Sequence, residues 1–319
     1  MALPLQGTFH PAGFLLRIRT NSQHVLDAAT ESWGDYPEQL HSGDALEFRV
    51  VVQDVPQSGG VLCGVPRHRV QGHLCSVVSD ADNFASLDLT ALQAAIYISQ
   101  RTAEDHAWLR WSFVESLAYL LLAQRSVVPV HAACVARNGS GILLCGASEA
   151  GKSTLAYACA REGWTYLSDD AVFLLPDSIA PVAIGRHRQV RFRPDAPRLF
   201  PELEPFASRL RPNGKMAIEV PVRELTHVHA AASTTLTHVV LLDRNESAGA
   251  AMQPVPSQAL LDRMLADIPS YGAEVDAMHE RSIARLLTLP TLRLRYSSLE
   301  GALQCLAQLT APQLISATR

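Results

Sequence analysis

Lysine is almost missing from this chain of 319 residues: of its 27 basic side chains, only Lys152 and Lys215 are lysine. Arginine serves wherever any cation suffices, so each lysine marks a place where a compact ammonium on a flexible stem does what a planar guanidinium does not. Long apolar runs are missing too. No uninterrupted stretch approaches the roughly 18 residues of a membrane-spanning helix, and the first residues show no basic segment ahead of an apolar one. The expected location is the cytoplasm, with no membrane partner. The six cysteines, Cys63, Cys75, Cys134, Cys145, Cys159 and Cys305, include no C-x-x-C spacing, which excludes a zinc ribbon. Several sit within apolar runs, as buried thiols of a reducing compartment do. Net charge is −4 and the arginines are spread along the whole chain, which excludes a broad basic surface for nucleic acid. With 48% hydrophobic and 18% charged residues the composition is globular, with mass enough for two domains.

What is present is a phosphate loop. Gly146-Ala147-Ser148-Glu149-Ala150-Gly151-Lys152-Ser153 completes the pattern G-x-x-x-x-G-K-[ST] between an apolar run, Ile142 to Cys145, and a helix-forming stretch. The glycines let backbone N–H groups turn inward around a polyphosphate. Lys152 reaches the outer phosphates, and Ser153 holds Mg²⁺ at a helix N-terminus. The expected cofactors are ATP and Mg²⁺, with Thr154 completing the nucleotide contacts. Lys215 follows Asn213-Gly214 on a turn. It is either a second phosphate contact or an ordinary surface lysine.

Residues 1–102 alternate apolar and polar positions in short bursts separated by Gly, Pro, Asp and Ser, which predicts a mostly β domain with one helix over 22–33. Its expected task is recognition of a substrate or partner. From Ala103 to Gln124 the spacing becomes helical, and residues 103–319 form the expected second domain. Asn138-Gly139 between two apolar runs predicts a two-residue hairpin in which paired positions sum to 277, setting His131 opposite Gly146. Further strands are expected at 164–168, 189–192, 216–220, 238–242 and 292–296, with a last helix over 299–309. The fold class is therefore α/β, a nucleotide-binding domain with a mixed sheet behind a smaller, mostly β domain.

Asp169 and Asp170 lie one helix and one short strand beyond Ser153, so strand and loop converge at the end of the sheet where α/β proteins bind ligands. One carboxylate can support Mg²⁺ and the other can take the proton of an attacking hydroxyl. A turn or capping pair is the plainer alternative. Neighbouring strand residues point to opposite faces, which limits how both could serve. His131 is a candidate to orient an aspartate, or else a core histidine. The run from Arg186 to Arg193 carries arginine at 186, 188, 191 and 193. Arg191 is the candidate to stabilise phosphate charge, against the plain reading of a solvated strand face. Arg244 is a lesser candidate of the same kind.

Val130-His131, the loop with its strand, and Leu167-Ser168-Asp169-Asp170 resemble the catalytic core of HPr kinase/phosphorylase, which shares its fold with the nucleotide-binding half of phosphoenolpyruvate carboxykinase. The resemblance covers about residues 128–176. It implies that Lys152 contacts the phosphates, Ser153 binds Mg²⁺, Asp169 is the base, Asp170 assists at the metal, and His131 supports the base. The glutamate-bearing segment those kinases carry after the aspartates is replaced here by an arginine-rich one. The chain is thus more similar to divergent HPr-kinase-related proteins, some of which phosphorylate peptides such as lasso-peptide precursors. The implied reaction is transfer of the γ-phosphoryl group to a hydroxyl of a protein or peptide serine. A small molecule as acceptor, or ATP binding without turnover, are the alternatives. The parent family forms oligomers, so a homo-oligomer is within the expectation.

Overall fold

The computed structural model describes residues 2–34, 36, 41, 43–54, 65–176, 178–245 and 249–311. Two compact units emerge: Met1–Ser126 with Leu210–Met216, and Val127–Arg209 with Ala217–Arg319.

In the first unit a sheet of seven strands is built from β1 (Leu5–Phe9), β2 (Leu16–Thr20), β3 (Leu46–Gln53), β4 (Arg67–Gln71), β5 (Leu74–Val78), β6 (Phe84–Asp88) and β7 (Gln93–Ser99). Their order is β1-β2-β3-β7-β6-β5-β4. The β2–β3 and β3–β7 pairs are parallel and the others antiparallel. β2 and β3 are joined through helix α1 (Gln23–Trp33), as parallel neighbours need a crossover. Strict alternation buries one face only: Leu46, Phe48, Val50 and Val52 of β3 are buried, while Arg49 and Gln53 are exposed.

The helix expected over 103–124 is broken. It forms α2 (Gln100–Glu104), α3 (His106–Leu109), a π-helical turn (Arg110–Val114) and α4 (Glu115–Leu122). Asp105 leaves helical geometry at φ −85° and ψ 82°, and its carboxylate accepts from the Trp108 N–H. A side chain that caps competes with the helix interior, which spacing of apolar residues does not register. These helices fall in the first of the two units.

The second unit holds β8 (Val128–Val130), β9 (Ala133–Arg137), β10 (Ser140–Cys145), α5 (Lys152–Arg161), β11 (Thr165–Ser168), β12 (Val172–Leu174), β13 (Val182–Gly185) and β14 (Gln189–Phe192). There follow β15 (Ser208–Leu210), β16 (Met216–Pro221), β17 (His229–Ala230), β18 (Ser233–Arg244), β19 (Ala251–Pro254), α6 (Ser257–Ala266), α7 (Ala273–Leu286), β20 (Thr291–Tyr296) and α8 (Leu299–Leu309). The main sheet runs β17-β11-β9-β10-β18-β13-β12-β8, with β20 and β19 beside the far half of β18; β14, β16 and β15 form a separate small sheet. β10, β18 and β20 are parallel. β10 is apolar on both faces because both are covered: Ile142 and Leu144 face a core shared with α5 and α8, and Leu143 and Cys145 one shared with α6 and α7.

The β9–β10 hairpin has the predicted register, from Arg137 opposite Ser140 to Ala133 opposite Leu144. Asn138 and Gly139 have φ of 51° and 77°, the two positive values a tight hairpin turn of this kind demands. The ladder stops at Ala133, because β8 leaves to pair with β12, and His131 lies in the bend between them. Cys75, Cys134, Cys145 and Cys159 are buried thiols and Cys305 is half-buried; Cys63 lies outside the described residues. Burial raises the proton affinity of Cys75, Cys134, Cys145 and Cys159, taking Cys145 up to about 12, so these four act as packing groups. Among the described residues no helix is long and apolar enough to cross a membrane.

Candidate functional site

The site begins where β10 ends. Gly146 follows Cys145, the loop turns through Glu149 at φ 69° and Gly151 at φ 93°, and α5 starts at Lys152. Gly146 is required by contact, and Gly151 by contact as well as by its positive φ. A Cβ at Gly146 would come within 2.8 Å of the Ala150 Cβ, and one at Gly151 would collide with the Tyr296 hydroxyl. Tyr296, at the end of β20, donates to the Ala150 carbonyl at 2.8 Å and is buried. It props the loop from below. Sequence reading placed a strand there but no role. The only signal was a hydroxyl-bearing aromatic at the carboxyl end of a strand.

Lys152 is buried, and its Nζ donates to the Gly146 carbonyl at 2.9 Å and the Ala147 carbonyl at 3.1 Å. Burial lowers its proton affinity, and the carboxylate of Asp170 pushes the other way. Ser153 donates to the Asp169 carbonyl at 3.3 Å, which ties the first turn of α5 to the end of β11. The first N–H groups of α5 have no acceptor inside the helix and carry the positive end of its dipole.

The two aspartates have opposite surroundings. Asp169 is 3% exposed; its Oδ1 accepts from the Tyr166 hydroxyl at 3.2 Å and its Oδ2 from the Arg191 backbone N–H at 3.0 Å. Burial raises its proton affinity, with Arg191 opposing. Asp170 is half-exposed, 3.2 Å from His131 Nδ1 through one oxygen and 3.9 Å from an Arg191 guanidinium nitrogen through the other. The histidine thus meets Asp170 and not Asp169. Both oxygens of Asp169 are engaged in the interior, whereas Asp170 is open to solvent. Arg191 also binds Glu219 at 2.9 Å through Nε, so β14 and β16 hold it in place.

The arginine run is only partly a strand face. Arg186 and Arg188 precede β14, and Arg193, just beyond it, pairs with Glu149 of the loop at 3.1 Å. Arg244 lies beside Tyr296 across the β18–β20 ladder, at the same end of the sheet. Lys215 belongs to the first unit. It is exposed, with its N–H on Asn213 Oδ1. Arg263 and Asp267, at and just beyond the end of α6, line a small cleft with His131 and Gly146 and act electrostatically on Lys152. Sequence reading passed over them. Their signal was a charged pair four apart on an otherwise amphipathic helix.

Asparagine fits the place of Asp169, accepting from the Arg191 N–H and donating to the Tyr166 oxygen while that hydroxyl donates to the Gln189 carbonyl, 3.0 Å away. The folded state holds a proton on Asp169 more tightly than the unfolded one, so stability from this group is full below pH 3.8 and is lost as pH rises through the raised value. Asp169→Asn removes that loss. Its stability relative to the parent is expected to increase from pH 3 towards pH 7 in denaturant titrations, and a constant difference would show that Asp169 keeps its ordinary proton affinity.

A family model described as "SynChlorMet cassette protein ScmC" matches residues 95–183. Among solved structures, the Hpr(Ser) kinase/phosphatase from Coxiella burnetii is similar at 14% identity, with a TM-score of 0.33, covering 57% of this chain and 90% of that one. No curated protein matches.

Proposed function

We propose that this protein is a Mg²⁺- and ATP-dependent phosphotransferase that moves the γ-phosphoryl group to a hydroxyl, with a serine of a protein or peptide as acceptor. The observation that carries the reading is convergence: the glycine-rich loop with Lys152, and the Asp170–His131 pair, meet at the carboxyl end of the parallel strands. A module that only bound nucleotide would need the loop but no half-exposed carboxylate held beside it by a histidine. The acceptor class rests on the motif resemblance of residues 128–176.

The donor set suits Mg²⁺. Ser153 offers a hydroxyl in the first turn of α5, while no cluster of three or more His, Cys, Asp or Glu occurs among the described residues. A hard cation that keeps several waters and shares phosphate oxygens needs no more than this. When bound, ATP and Mg²⁺ supply the electrophilic phosphorus and neutralise its oxygens. Lys152 and the first N–H groups of α5 bind the phosphates. His131 orients Asp170, Asp170 accepts the proton of the acceptor hydroxyl, and Arg191 sits where charge builds up. Asp169 supports the site by fixing the Arg191 backbone.

The test is label transfer from γ-labelled ATP into host lysate separated into macromolecules and small metabolites, with Lys152→Met as control. Lysine-dependent label in the macromolecular fraction is expected, and the control is expected to lose about 10²–10³-fold in rate. Label confined to small metabolites would make the acceptor a metabolite, and nucleotide binding without any product would sink the phosphotransfer reading.

A further inference from the structure

The sheet of the first unit ends in an open strand. β4 is last in the strand order, all five of its residues are exposed, and among the described residues nothing pairs with its outer side. Gly72-His73 joins it to β5, with Gln71 opposite Leu74 and Gly72 at φ 60°, a two-residue loop of type II′. Residues flanking such a loop exchange both main-chain hydrogen bonds, and the pattern alternates from there. Gln71, Arg69 and Arg67 therefore point their N–H and C=O groups at β5. His68 and Val70 turn theirs outward, as an unused template for another strand.

The side chains of β4 divide the same way. Arg67 and Arg69 share a face with Val78, Leu74 and Phe84, which are 46%, 50% and 37% exposed. Val70, on the other face, is 55% exposed and continues the buried row of Cys75 and Leu87 out to the edge. No acid answers Arg67 or Arg69 among the described residues; Asp88, on the same face, lies 4.0 Å from His73.

We propose that β4 is a docking edge for an extended acidic peptide. The peptide pairs its backbone with His68 and Val70, sets acidic side chains at alternate positions against Arg67 and Arg69, and lays apolar ones between them beside Val70. Charge chooses the occupant. A second copy of this chain pairing edge to edge brings Arg67 and Arg69 against themselves, whereas a strand of opposite sign is attracted. A nucleic acid strand has no use for outward main-chain groups, and the aromatic pair on this face, Phe84 and Tyr97, is stacked on itself at 5.1 Å and 18°, not open to bases. The inference concerns the first unit and stands apart from the phosphotransfer reading.

Fluorescence anisotropy of the full chain with a labelled peptide of alternating glutamate and valine tests it. Saturable binding is expected, weakened about tenfold or more by the double variant Arg67→Glu/Arg69→Glu. That variant is expected to take up a peptide of alternating lysine and valine, a gain that misfolding does not produce. No saturable binding overturns the proposal. Equal binding of a glutamate–valine peptide N-methylated at the positions facing β4 overturns it as well, and so does equal competition by a single-stranded oligonucleotide of the same charge.

Discussion

Asp170→Asn is expected to slow phosphotransfer by about 10²–10⁴-fold, the usual worth of a positioned base, while Asp169→Asn costs less than about tenfold. The difference comes from what each carboxylate touches. Asp170 is half-exposed and held 3.2 Å from His131 Nδ1, so it is the carboxylate of the pair that is open to an incoming group, and its charge is felt at Lys152. Asp169 spends both oxygens on Tyr166 and the Arg191 backbone inside the protein, and asparagine can satisfy the same partners. Single-turnover rates with labelled ATP, compared at saturating nucleotide, separate the two. If Asp169→Asn proves the crippling change and Asp170→Asn the mild one, the base is Asp169 and the burial argument fails.

Adjacent aspartates illustrate what a sequence holds and what it does not. Their position was legible, because a loop, one helix and one short strand bring residue 169 back to the start of α5 wherever a parallel sheet is formed. Which of the two is available was not, because neighbouring residues point to opposite sides and only packing tells inside from outside. The β9–β10 register was legible to the residue, since Asn138-Gly139 accepts two positive φ values and so fixes the loop length. The departure of β8 to pair with β12 was not, and it is this bend that carries His131 to Asp170. Apolar spacing likewise gave no sign that Asp105 would stop a helix. Arg263, Asp267 and Tyr296 reach the site from elements far along the chain, and nothing local to them signals the loop they approach.

Gly151→Ala is expected to weaken ATP binding about 10²-fold and to destabilise the second unit, for two reasons that can be separated. At φ 93° an alanine backbone is strained by about 1–3 kcal/mol, and its Cβ would collide with the Tyr296 hydroxyl. Either that hydroxyl gives up the Ala150 carbonyl, or the loop lifts and takes with it the carbonyls of Gly146 and Ala147 that hold Lys152. Tyr296→Phe alone forfeits one hydrogen bond, about 1 kcal/mol, and leaves the loop free of any clash. In the double variant the collision is gone and only the backbone strain remains. The two changes together should therefore cost less than their sum by about 1 kcal/mol, read from denaturant unfolding, with ATP affinity partly recovered in the same protein. Strict additivity would mean that the loop avoids Tyr296 without cost, and the hydroxyl would then be no prop of the loop at all.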